Sequence, residues 1–173
     1  MNFELLKELC MLNGTSGDEK IVRDFIISRL PDDCDYTVDP LGNLIVNKKG
    51  EIEPKNKVAL FAHMDEVGFI VTYISDDGFV NVANVGGIDN SALFGKKLTI
   101  NGQVGVAGAK AIHQCSSDEA KKIPEITEVS VDFGFESREE AEKYISLGDF
   151  CYFKSDFVEF GNDMIKSKAL DDR

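Results

Sequence analysis

The stretch that most constrains this chain is Lys57–Gly68, KVALFAHMDEVG. Its apolar run Val58–Phe61 predicts a strand covered on both faces, as in the parallel part of an α/β sheet. In such sheets the chemically active groups sit at the carboxyl ends of strands. His63 and Asp65 fall there, two residues apart and therefore on one side of an extended chain. Such a pair lets the imidazole bind a metal through one nitrogen while a carboxylate holds its orientation, or lets both groups line one cleft. His-x-Asp alone is a sparse pattern, so its meaning depends on the rest of the chain.

At 173 residues with 43% hydrophobic content and 12 Phe, the chain can bury a substantial core, which excludes global disorder. A net charge of −12 argues against nucleic-acid binding, which needs clustered cations facing phosphates. Cys10, Cys34, Cys115 and Cys151 are scattered, with no Cys-x-x-Cys pair. That spacing predicts neither a zinc cluster nor a disulfide framework, and it suits a reducing cytoplasm. MNFELLKELC lacks a basic segment followed by an apolar one, so no secretion signal is expected, and no apolar run reaches membrane-spanning length.

In chain order, residues 2–12 predict a short amphipathic helix. Ser16 and Glu19 form an S-x-x-E capping box for a second helix reaching Leu30, which Pro31 stops. Tyr36–Val38 and Asn43–Val46 flank the turn Asp39-Pro40-Leu41-Gly42, predicting a hairpin. Past Gly68 the texture changes to short β-type segments separated by Gly and Asp/Asn turns, which predicts a barrel or sandwich. Ser116–Lys122 reads as one or two helical turns, and residues 126–135 alternate most clearly of all, with Val129, Val131, Phe133 and Phe135 on one face. Ser137 and Glu140 form a second capping box, opening a helix to Leu147. The chain returns to strand through residues 149–160 and closes on KSKALDDR, which reads as an element cut through its middle.

The functional candidates are few. Zinc and cobalt accept imidazole and carboxylate ligands, and paired-metal sites share a bridging carboxylate. His63 with Asp65 and one of Asp171 or Asp172 makes half of such a site. His113 reads as a hydrogen-bonded loop residue, and Glu139-Glu140 as charge favoured in the first turn of a helix. Gly86-Gly87 and Gly102–Gly108 lack the strand–loop–helix setting of a phosphate site, and Asp76-Asp77 lacks the ligand pattern of a calcium loop.

Taken in order, the segments Leu12–Glu19, Asp39–Leu44, AHMDEVGFIV, Val85–Asp89, GVAGAK with His113, and the terminal KALDDR resemble the tetrahedral aminopeptidases. These are the glutamyl and deblocking aminopeptidases among dinuclear metallopeptidases, some also labelled cellulase M or endoglucanase. The resemblance implies an α/β metallopeptidase sandwich, partial here, interrupted by a β-barrel-like dimerisation domain. The expected parts are residues 1–67 in the catalytic domain, 68–163 in the dimerisation domain, and a return at 164–173. It further implies a cytoplasmic enzyme with two divalent metal ions, zinc or cobalt, that removes N-terminal residues from peptides. By the same resemblance His63 is a metal ligand, Asp65 the catalytic carboxylate beside it and Asp171 the bridging ligand, with Asp172 as its neighbour. Subunits would pair through residues 68–163 and build into a dodecamer. In the family the general-base Glu, an adjacent Glu ligand, a further Asp ligand and a final His follow ALDDR. The expectation is therefore an N-terminal portion, inactive alone. The alternatives are a non-catalytic assembly module acting through the β-rich block, or an endoglucanase, which needs paired carboxylates flanking a glycosidic bond.

Overall fold

Short strands punctuated by tight turns cannot each bury an apolar face alone, and closing them into a ring also removes their unpaired edges. The computed structural model shows this solution. It describes residues 3–52, 55–108, 114–117 and 121–173. Packing divides the chain into two units, one formed by residues up to Asp65 together with Phe157–Arg173, the other by Glu66–Asp156.

The second unit is a closed antiparallel barrel. Its strands are β3 (Gly68–Ile74), β4 (Val80–Val85), β5 (Lys97–Ile100), β6 (Gln103–Gly108), β7 (Ser130–Asp132) and β8 (Phe150–Phe153). They run around the barrel in the order β3-β4-β7-β6-β5-β8, and β8 closes on β3 through Phe69 opposite Cys151. Inward and outward residues alternate as the pleat requires. Leu98 and Ile100 face in from β5, Ala107 from β6, Val80 and Val82 from β4, and Val131 from β7. On β3 the inward set is Phe69, Val71 and then Ile74, because a register shift between Val71 and Tyr73 inserts one residue and resets the parity. The β5–β6 hairpin turns on Asn101-Gly102, both at positive φ (47° and 83°), as a two-residue turn matched to strand twist needs. Ala141 and Ile145 add to the core.

Within this unit two expectations change. The alternating stretch 126–135 contributes only Ser130–Asp132 as strand, because Ile126–Glu128 closes a 3-10 turn before it. The Ser137 cap forms, accepting from the Glu140 N–H at 3.3 Å, but α3 (Arg138–Ala141) is short and continues only as turns to Ile145. The expected turns at Ser116–Lys122 and the residue His113 lie partly or wholly outside the described residues.

The first unit holds α1 (Glu4–Met11), α2 (Lys20–Ser28), the hairpin of β1 (Cys34–Val38) with β2 (Leu44–Lys48), and a second hairpin of β9 (Val158–Phe160) with β10 (Met164–Lys166). That second hairpin places the return to this unit at Phe157, ahead of residue 164, because Val158–Phe160 pairs with Met164–Lys166. Arg29, the C-cap of α2, reaches Glu8 of α1 at 2.5 Å, and Arg23 donates to the Gly42 carbonyl at 3.1 Å, tying α2 to the first hairpin. Asp39 organises that turn by accepting from the Leu41 and Asn43 N–H groups, each at 2.9 Å, and from the Asn43 amide at 2.8 Å. These bonds hold its carboxyl below the usual range, with the Asn43 side chain the largest cause.

The run Val58–Phe61 corrects the opening expectation. Among the described residues it joins no strand, and Leu60 and Phe61 stand 93% and 92% exposed. A strand exists only where a neighbouring segment supplies the other half of its hydrogen bonds, and none of the described residues does so here.

Candidate metal centre

His63 and Asp65 follow that extended run, and Asp171 stands 108 residues beyond His63 in sequence. The fold of the first unit brings all three together. His63 Nε2 lies 3.0 Å from Asp171 Oδ1, while its Nδ1 lies 3.1 Å from Asp65 Oδ1 and 3.1 Å from the Asp65 carbonyl oxygen. The two ring nitrogens therefore have different partners, which is how a protein sets the tautomer and aim of an imidazole. The hydrogen bond to Asp171 is the largest cause raising the His63 pKa above its ordinary value, and desolvation opposes it.

Donor atoms of His63, Asp171 and Asp172 all lie within 4.8 Å of one another. One imidazole and two carboxylates suit borderline divalent cations such as zinc and cobalt, and three donors leave a position open for another ligand. The set therefore fits one such ion, while a second would need further donors. The Asp171 side chain is 95% exposed, so its carboxylate faces solvent and is open to a cation. Asp172, read from the sequence as an alternative to Asp171, contributes an oxygen alongside it.

Three supporting residues escaped the sequence reading. The Ser16 hydroxyl donates to Asp65 Oδ2, and Ser16 lies three residues ahead of the N-cap of α2. The N-cap of that helix is Glu19, whose carboxylate turns back to the Gly17 N–H at 2.8 Å, so the expected Ser16–Glu19 capping box does not form. Arg173 spreads its guanidinium over three carbonyls, with Nε to Met64 at 2.6 Å, Nη1 to Leu12 at 2.8 Å and Nη2 to Gly14 at 3.1 Å. Lys168 donates to the Leu12 carbonyl and to Asn13 Oδ1, each at 3.0 Å. The closing segment, read from sequence as a cut element, is thus held by its own cations. The only signal of this in the sequence is that Ser16, Lys168 and Arg173 sit within the segments that carry the resemblance.

A family model described as M42 glutamyl aminopeptidase matches residues 42–173. The putative aminopeptidase FrvX of Escherichia coli is 38% identical over 180 residues, covering 100% of this chain and 50% of the relative. A Thermotoga maritima structure named an endoglucanase is 43% identical with a TM-score of 0.74, covering 89% of this chain and 46% of that one. The Pyrococcus horikoshii TET1 peptidase, which can assemble into a tetrahedron or a large octahedral shell, is 36% identical with a TM-score of 0.77, covering 90% and 47%. The chain thus spans about half the length of these relatives. With its match over residues 42–173 and this fold, the chain belongs to the M42 glutamyl aminopeptidase family.

Proposed function

We propose that this chain carries the first part of the active site of a metal-dependent aminopeptidase that removes N-terminal residues from peptides. The observation that carries the reading is the clamping of one imidazole between Asp65 and Asp171, residues distant in sequence, with Asp172 beside them. His63 would bind a divalent cation through Nε2, and Asp171 would share its carboxylate between two cations, zinc or cobalt. Asp65 would hold the ring of His63 through Nδ1 and position the reacting groups. Such cations supply Lewis-acid polarisation of a scissile carbonyl and ready ionisation of water. The base and the remaining ligands are expected in sequence beyond these 173 residues, as is the strand that covers Val58–Phe61. The half-length match to the relatives supports that expectation. Peptides are the substrates, and the negative charge is unsuited to nucleic acid.

Self-association through the barrel into larger shells is part of this reading. It is supported by the behaviour of the TET1 relative and by Val104 and Val106, which β6 turns outward and exposed. A barrel that assembles without catalysing is the alternative, and the activity test below distinguishes the two. No helix among the described residues is long and apolar enough to cross a membrane, and all four cysteines are thiols, which fits a reducing cytoplasm. Glycoside hydrolysis is disfavoured, because Asp65 and Asp171 engage two nitrogens of one ring and do not flank a space for a glycosidic bond.

The test is hydrolysis of aminoacyl-anilides by the whole protein, stripped of metal and then supplied with Co²⁺ or Zn²⁺. Turnover should require the metal and vanish in His63→Ala and in Asp171→Ala, and the 173-residue chain alone should be inactive. Metal-independent turnover, or full turnover in His63→Ala, would overturn the assignment. A whole protein that assembles but hydrolyses no anilide would favour the assembly reading.

A further inference from the structure

We propose that the loop Leu12–Ser16 is a positioning element for His63, with Ser16 and Arg173 as its two positioning residues. The inference rests on the metal-site reading above. A carboxylate that orients an imidazole is itself free to rotate unless its second oxygen is held. Ser16 holds it, so that hydroxyl, carboxylate, ring and the Asp171 carboxylate form one continuous series. Hydrogen-bond partners at this distance from a metal set the aim and basicity of the ligand they support.

Ser16 can do this only if its loop is fixed relative to the segment carrying His63 and Asp65. Arg173 meets that need. Its planar fork joins the Leu12 and Gly14 carbonyls, on the loop, to the carbonyl of Met64, the residue between His63 and Asp65. Lys168 adds a second cation on Leu12 and Asn13, and Thr15 within the loop is fully buried. A Cβ at position 14 would stand 2.5 Å from Arg173 Nη2 and 2.7 Å from Val22 Cγ2, so a side chain there would push on the Arg173 fork. The segment Asn13–Gly17 therefore does more than break a helix.

The experiment is titration of Co²⁺ alone into the metal-stripped whole protein, followed by visible absorption and by competition with a chelator. The variants are Ser16→Ala, Ser16→Thr, Arg173→Lys and His63→Ala. Ser16→Ala should weaken Co²⁺ binding about 10-fold and alter the absorption band of the bound ion, and Ser16→Thr should restore both. Arg173→Lys keeps the charge but cannot span three carbonyls, and it should weaken binding to a similar degree. It also serves as the second variant should Ser16→Ala fail to fold. Wild-type affinity and spectrum in either Ser16→Ala or Arg173→Lys, with binding lost in His63→Ala, overturns this inference and leaves the metal site standing. Wild-type binding in His63→Ala overturns the metal site itself.

Discussion

Phe69 offers the sharpest test of how the barrel is held. It is fully buried near the start of β3, opposite Cys151 of β8 and Asn84 of β4, where the ring of strands closes. Its ring meets Phe153 edge-to-face at 5.1 Å and 64°. Truncating a buried Phe to Ala removes its transfer free energy and leaves a cavity, about 3–5 kcal/mol together. A closed ring of strands relaxes little into such a cavity, which argues for the upper half of that range. The edge-to-face contact accounts for about 0.5–1.5 kcal/mol of the loss. Urea denaturation reads the result through tyrosine emission, since the chain has no Trp and Tyr73, Tyr144 and Tyr152 lie in the barrel unit. With an m-value near 2 kcal/mol/M the midpoint should fall by about 2 M in Phe69→Ala. A cycle with Phe153→Ala should return a coupling of about 1 kcal/mol. A midpoint shift below about 0.5 M, or no coupling, would refute the view that the core closes on this pair.

Two further predictions concern titrating groups. The carboxyl of Asp39 is held below its ordinary value of 3.8, so the stability it contributes is present above the unfolded value and is lost as pH falls through the lower folded one. Its side-chain NMR titration should therefore have a midpoint below 3.8, Asp39→Ala should remove the matching acid-side loss of hairpin stability, and a midpoint at or above 3.8 would refute the turn geometry. Burial pushes the Cys151 thiol up to about 12, so at pH 8 iodoacetamide should label the part-exposed Cys34 far faster in the native protein; equal rates would show that β8 does not bury its cysteine.

On the proposed reading of the site, the segment Asp171–Arg173 has two roles. Asp171 and Asp172 bring carboxylate oxygens to His63, and Arg173 holds the backbone on which His63 stands. One short segment thus supplies both candidate ligands and the support for a third. A substitution at Arg173 would be read as a lost surface charge from sequence alone. In the structure it disconnects three carbonyls.

The sequence by itself determined the elements whose causes are local. Glycine and Asn/Asp turns with short alternating segments after residue 68 specify short strands of a barrel or sandwich, of which the structure forms a closed barrel, and Asp39-Pro40-Leu41-Gly42 specifies its hairpin turn. The spacing of His63 and Asp65 placed both on one side of an extended segment, and the family resemblance, through KALDDR, offered Asp171 as their companion; the side chains of all three do meet. What only the tertiary structure decided depends on partners far along the chain. Ser16 satisfied the local rules for a helix cap, yet the helix starts three residues later with Glu19 as its N-cap, and the Ser16 hydroxyl donates to a carboxylate 49 residues away. Val58–Phe61 had the composition of a buried strand, yet it stands exposed, because burial belongs to a segment and its neighbours together. The inserted residue between Val71 and Tyr73 turned Ile74 inward against the expected alternation, since the register of one strand is set by the strand beside it.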